Sequence, residues 1–178
     1  GSVAGHAATR DVQTRMHPLT YTAPVSKAEY LGGKFLAAFV INAIIMLAIP
    51  AGILVAVYLN ELEPEIIGPF RVATYLSSYF FIALPNALFA TAIQFSMAAL
   101  KRRAMVSFLA GGLLFFSSYI LGSLLNKSTE SSGWGNLVDP MSFSAMVNKL
   151  TTEFTPLQLN AYQIHLEGPL LWNRLFWF

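Results

Sequence analysis

Cysteine is absent from the 178 residues, and charged residues make up only 11% of them. Without cysteine the chain can form no disulfide, no cysteine-bound iron–sulfur cluster and no thiol nucleophile. Soluble domains contain about 25% charged residues, so this chain has too few to cover a water-facing surface. Hydrophobic residues instead make up 55% of the chain, and the mean hydropathy is +0.55. These values predict a membrane protein.

Motifs for catalysis and for metal or nucleotide binding are also missing. The chain contains no Walker motif, no G-x-S-x-G and no dinucleotide fingerprint. Its three histidines, His6, His17 and His165, lack the spacing of metal ligands. The sequence therefore predicts a protein that is not an enzyme and that binds no cofactor, metal or nucleic acid.

Three long apolar runs occupy residues 35–58, 72–100 and 104–125. About 20 apolar residues in a helix cross the hydrocarbon core of a bilayer. A fourth apolar run begins after Gly168 and occupies residues 169–178. The pattern predicts an all-α membrane protein with three complete transmembrane helices and the start of a fourth. The chain has no initial Met, and its last residue falls within an apolar run. We therefore expect it to be a piece of a longer polypeptide.

The segments between these runs alternate in charge. Seven of the eleven Lys and Arg residues lie in residues 1–34 and 101–103, whereas residues 59–71 carry three glutamates. The positive-inside rule therefore places the first two segments in the cytoplasm, and residues 59–71 and 126–168 outside. Within the last segment, Asp139 and Pro140 resemble a helix start, and apolar residues follow at helical spacing. An external amphipathic helix is predicted there.

A short cytoplasmic helix is predicted just before the first apolar run. Ser26 and Glu29 have the spacing of a capping box, and Gly32 and Gly33 interrupt the helical pattern two turns later. We expect a hinge at the two glycines. The aromatic and basic side chains near this helix fit either docking into a groove of a partner protein or rest on lipid headgroups.

Polar residues and prolines occur within the predicted spans. Asn42, Asn86 and Gln94 could mark a substrate path, but hydrogen bonding between helices is the more common role of such uncharged side chains. Pro50 and Pro85 predict kinks that could act as hinges.

The segment that leads into the first span resembles the corresponding part of type-2 ATP-binding-cassette (ABC) exporter permeases. The resemblance rests on Arg10-Asp11, on residues 19–26, on Glu29-Tyr30-Leu31 and on Gly33-Lys34. It implies the third to sixth spans of a six-span permease domain. Several phrases, such as EIIGPFR, resemble a bacterial subgroup in which the permease is sometimes fused to a zinc aminopeptidase-like domain.

The resemblance also implies partners and a place in the cell. It implies an ABC ATPase subunit that binds ATP and Mg²⁺, the bilayer of a bacterial inner membrane, and a homo- or heterodimer of permease halves. The alternatives are the membrane anchor of a fused or associated peptidase and an intramembrane enzyme, the latter disfavoured because the spans lack paired titratable groups. The residues expected to contact the ATPase are Tyr21, Pro24, Val25, Lys27, Glu29 and Tyr30.

Overall fold

The computed structural model describes residues 2–16, 22, 24–59, 71–128, 133–143, 146, 158 and 162–178, and every regular element in these residues is helical. A π-helical turn, Tyr79–Ala83, lies between α4 and α5. The α-helices are α1 (Ser2–Gln13), α2 (Lys27–Met46), α3 (Ala48–Leu59), α4 (Val72–Ser78), α5 (Leu84–Lys101), α6 (Met105–Ser128), α7 (Gly133–Val138) and α8 (Gly168–Trp177).

Two helical stretches, Lys27–Ala56 and Val72–Lys101, are long and apolar enough to cross a membrane. Both are largely unburied, which is unlike the core helix of a soluble protein. The described apolar part of α6, Met105–Ile120, is shorter than a complete span. The structure therefore bears out the all-helical class and two membrane-length helices, whereas three complete spans are not shown.

Prolines interrupt both of these stretches. Pro50 has no N–H to donate, and the helix is broken at Leu47, one turn earlier, where α2 gives way to α3. Pro85 lies two residues after the end of the π-helical turn, and the N–H of Leu84 donates to the carbonyl of Tyr79, five residues earlier. The wider turn accommodates a proline ring that would collide with a carbonyl in a regular α-helix.

The chain divides into two compact units, the first formed by residues 1–45 and 87–114 and the second by residues 46–86 and 115–178. Buried residues of the first unit are mostly small: Ala98 is fully buried, whereas Leu113 is 71% exposed. Small residues inside and large apolar residues outside are typical of helices that pack closely within lipid. The small buried residues of this unit are Ala4, Gly5, Thr9, Ala38, Ala87, Thr91, Ala98, Ser107 and Ala110.

Two expectations for residues 1–34 are wrong. Helix α2 continues through Gly32 and Gly33 without interruption, so the structure contains no hinge and no separate short helix there. The sequence predicted a single short helix in this segment, next to the first apolar run, whereas α1 forms a helix much earlier. Gly5 of α1 packs against Ser107 and the carbonyl of Ala104. Only a residue without a Cβ permits so close an approach.

Candidate functional site

The first turn of α2 is built around the predicted capping box. The hydroxyl of Ser26 donates to Oε2 of Glu29 at 2.7 Å, and the backbone N–H of Ser26 donates to the same oxygen at 3.0 Å. In return, the N–H of Glu29 donates to Oγ of Ser26 at 3.2 Å. These bonds satisfy donors that a helix start leaves unpaired. The predicted helix start is confirmed.

The carboxyl of Glu29 carries a full negative charge at neutral pH. The hydrogen bonds from the Ser26 hydroxyl and then from the Ser26 backbone lower the pKa of Glu29. Glu29 is exposed and precedes the apolar run that starts at Phe35, so it lies outside the segment expected in lipid. A negative charge in the first turn also interacts favourably with the helix dipole.

The residues expected to contact an ATPase differ in their exposure and in their contacts within the chain. Pro24, Lys27 and Glu29 are exposed, as is Val25 at 52% of its surface, and Tyr21 lies outside the described residues. Tyr30 is instead engaged within the chain, because the ammonium of Lys34 lies 4.6 Å from the centre of its ring.

Lys34 also forms a salt bridge with Asp11 and thereby connects α2 to α1. The available surface of this turn is therefore Pro24, Val25, Lys27 and Glu29, which we call the N-terminal turn.

Polar residues of the first unit bond between and within its helices. The amide of Asn42 donates to the hydroxyl of Thr91 at 2.9 Å, and that hydroxyl donates to the carbonyl of Ala87 at 2.6 Å. Gln94 is buried, and its amide nitrogen would lie 2.7 Å from a Cβ placed on Gly111. Asn42 therefore forms an interhelical hydrogen bond, and the arrangement requires no charged or metal partner.

The second unit contains a buried polar cluster that the sequence did not reveal. The hydroxyl of Ser142 donates to Oδ1 of Asn173, whose amide donates to the carbonyls of Asn136 and Asp139, at 2.7 Å each. The hydroxyl of Ser118 donates to Oδ1 of Asp139. Asn173 and Asp139 are fully buried. We call Ser118, Asp139, Ser142 and Asn173 the polar cluster.

Backbone hydrogen bonds and one unusual backbone angle also occur at the polar cluster. The N–H of Met141 donates to Oδ1 of Asp139 at 3.0 Å, which is the bond of an Asx turn. The interpretation of Asp139 as a helix N-cap followed by proline in the first turn is wrong, because Pro140 and Met141 form a turn and the next helical residue is Phe143. Ser142 has φ of 56°, a left-handed conformation that is costly for a residue with a side chain. The amide of Asn86 donates to the carbonyl of Met141 at 3.0 Å. Most of the predicted amphipathic helix after Asp139 lies outside the described residues.

Arg174 lies beside the cluster but is not bonded to it. Only 6% of its surface is exposed, and none of its three guanidinium nitrogens has a hydrogen-bond partner in the part of the chain that the structure describes. The guanidinium lies 5.9 Å from the ring centre of Phe178. Sequence reasoning treated residues 169–178 as a plain apolar run, and the adjacent pair Asn173-Arg174 was the signal that it passed over.

A cleft lies in the second unit along α3, α4 and the π-helical turn, with a volume of about 200 Å³. One wall contains Pro50, and the other contains Tyr79 and Ala83 of the π-helical turn. Of the two prolines that the sequence singled out, Pro50 lines this cleft and Pro85 does not. Its remaining lining residues are Met46, Ile49, Ile53, Thr74, Tyr75 and Ser78.

Comparison with protein families, with curated proteins and with solved structures finds no match to this chain. The functional argument therefore rests on the N-terminal turn, the cleft and the packing of the helices.

Proposed function

We propose that this chain is part of the membrane subunit of an ABC-type exporter, in which ATP hydrolysis by a partner ATPase drives substrate across a bacterial inner membrane. The observation that carries the proposal is the N-terminal turn. It is exposed, it is held by a complete capping box, and it leads into and includes the first turn of a membrane-length helix. A partner that pushes on this turn therefore acts directly on the apolar helix behind it.

The packing of the first unit would carry such a push further. Helix α2 contacts α5 through the edge-to-face pair of Phe35 and Phe95, whose ring centres lie 5.8 Å apart, and through the bond from Asn42 to Thr91. An uninterrupted α-helix between Lys27 and these contacts transmits displacement with little loss, whereas a glycine hinge would absorb it. ATPase closure would thus move α2 and α5 together against the second permease half.

The proposal includes a topology and a set of partners. Residues 1–34 and 101–103 would lie in the cytoplasm, while residues 59–71 and 126–168 would lie outside. The ATPase, which would bind the ATP and Mg²⁺, would dock on the N-terminal turn. Two permease halves, identical or different, would enclose the transport path, and residues 104–125 would form a third span.

The test uses the full-length protein in nanodiscs with the ATPase encoded beside it. We expect the double variant Val25→Ala, Lys27→Glu to bind the ATPase at least about tenfold more weakly, since it removes an apolar anchor and reverses a charge at the centre of the docking surface. Stimulation of ATP hydrolysis should fall in parallel. Tyr30 is left intact because its ring supports Lys34 within the chain.

The matched control is Lys101→Glu, which reverses an equally exposed charge on the same expected side of the membrane but outside the N-terminal turn. It should leave binding and turnover within about twofold of the wild type. If the double variant binds and stimulates the ATPase like the wild type, this turn is not the docking site. A chain that binds no ATPase at all would favour the role of membrane anchor for a peptidase.

A further inference from the structure

The connection between α5 and α6 concentrates positive charge. Its residues Lys101-Arg102-Arg103, which we call the basic turn, are all exposed, and none of them forms a salt bridge with a residue that the structure describes. The first unit contains only two acidic residues, and both are engaged elsewhere. Asp11 pairs with Lys34, and Glu29 accepts hydrogen bonds from Ser26. The charges of the basic turn are therefore available to an anionic partner.

Two strongly exposed apolar side chains flank the basic turn. Leu100 and Met105 are each 76% exposed, and no other large apolar residue that the structure describes is more exposed. The next turn of α6 continues this apolar surface with Phe108 and Leu109. The basic turn also begins at the last residue of the membrane-length stretch Val72–Lys101. Cations between apolar side chains at the end of such a stretch are typical of the boundary between hydrocarbon and water.

Local hydrogen bonds hold the end of the basic turn in one conformation. The N–H of Val106 donates to the carbonyl of Arg103 at 3.2 Å. The N–H and the hydroxyl of Ser107 donate to the carbonyl of Ala104 at 3.1 and 2.7 Å, and Gly5 of α1 packs against the same carbonyl. A segment that is already ordered loses little conformational entropy when it binds a ligand.

Arg102 has a backbone conformation that is unusual for a residue with a side chain. Its φ is 53°, in the left-handed region, and it directly follows the last residue of α5. Glycine is the usual residue at such a position, because a Cβ makes the left-handed conformation costly. The chain thus has a cation where glycine would favour the turn. Substitution by glycine therefore removes the charge without weakening the local structure.

We propose that the basic turn binds the phosphate groups of anionic phospholipids, while Leu100 and Met105 lie against the acyl chains of the same lipids. Positive charge without an acidic neighbour favours an anion, and the apolar flanks favour an anion that carries hydrocarbon over a free one. The proposal depends on α5 as a membrane-length helix and does not depend on an ATPase partner or on transport.

The experiment measures lipid binding next to the basic turn. A cysteine-free full-length protein receives a small fluorophore at Phe108→Cys and is placed in nanodiscs that contain brominated phosphatidylglycerol or brominated phosphatidylcholine. Bromine quenches the fluorophore only at close range, so the signal reports the lipids beside this residue. We expect half-maximal quenching at a mole fraction of phosphatidylglycerol about fivefold lower than that of phosphatidylcholine.

Two matched variants make the test specific. Lys101→Gln with Arg102→Gly removes two charges of the basic turn and should reduce the preference to within about twofold. The control, Arg10→Gln with Arg15→Gly, also removes two exposed charges of the first unit, and Arg15 has a similar φ of 56°. The control should retain the full preference. Neither variant should lower the midpoint of thermal unfolding, because each glycine relieves a left-handed conformation.

Equal quenching by the two lipids would overturn the proposal and would assign the basic turn to a soluble anionic partner. An equal loss of preference in both variants would overturn it as well, because it would show a general effect of surface charge. Loss of the preference when inorganic phosphate is added at constant ionic strength would show a site for a free anion. No ATPase is present in this experiment, so its outcome is independent of the docking test.

Discussion

Asn173 and Arg174 are adjacent and both buried, but they differ in the hydrogen bonding of their side chains. Asn173 accepts a hydrogen bond from Ser142 and donates to backbone carbonyls, whereas the guanidinium of Arg174 has no hydrogen-bond partner in the described residues and lies near the ring of Phe178. A buried polar group that is fully bonded stabilises a fold, and an unpaired buried charge destabilises it by its lost hydration. The two residues should therefore respond oppositely to substitution.

We expect Asn173→Ala to lower the midpoint of thermal unfolding in detergent by roughly 5 °C, because it leaves buried carbonyls without donors. Arg174→Met should leave the midpoint unchanged or raise it, since methionine fills similar space without a charge. Asp139 retains its bonds from Ser118 and Met141 in that variant. A fall for Arg174→Met as large as that for Asn173→Ala would show that Arg174 is paired after all.

At the scale of helices, glycines with different surroundings explain how α1 and α2 are arranged. A Cβ on Gly5 would lie 2.8 Å from the backbone carbonyl oxygen of Ala104, which cannot rotate away. A Cβ on Gly32 would meet nothing within 4 Å. The first glycine permits close helix packing, and the second only lowers the helix propensity of its own turn.

We expect Gly5→Ala to displace α1 and to speed amide hydrogen exchange of residues 2–13 by about tenfold, the effect of an overpacking cost near 1.4 kcal/mol. The matched substitution Gly32→Ala should slow exchange in its own turn or leave it unchanged, because alanine favours helix. Equal exchange of residues 2–13 in Gly5→Ala and in the wild type would contradict the close packing of α1.

For the whole molecule, the main prediction concerns the arrangement of the chain across the membrane. Arg103 and His165 are both exposed, and the predicted span of residues 104–125 lies between them. The distribution of basic residues predicts that Arg103 lies in the cytoplasm and His165 outside.

Because the 178 residues contain no cysteine, single cysteines can report this topology. In a cysteine-free full-length protein, we expect His165→Cys to react with a membrane-impermeant maleimide on intact cells. Arg103→Cys should react only in inverted vesicles. Reaction of both cysteines from the same side would mean that residues 104–125 do not cross the membrane.

Local signals determined much of the helical structure in advance. The capping box at Ser26 and Glu29 and the interruptions next to Pro50 and Pro85 depend on residues within a few positions of each other. Hydropathy alone was sufficient to predict the two membrane-length stretches. The polar cluster was not foreseen, because the bond from Ser142 to Asn173 joins residues 31 apart in the chain.

What the sequence settled by itself was therefore the class of the protein: helical, poor in charge, and with two helices suited to lipid. Tertiary packing decided the rest, including the continuity of α2 through two glycines, the helix at residues 2–13 and the burial of Asn173 and Arg174. The physical reason is the separation along the chain over which each effect acts. Capping and proline effects act within a turn or two of helix, whereas burial and hydrogen bonding between helices depend on which distant segments meet.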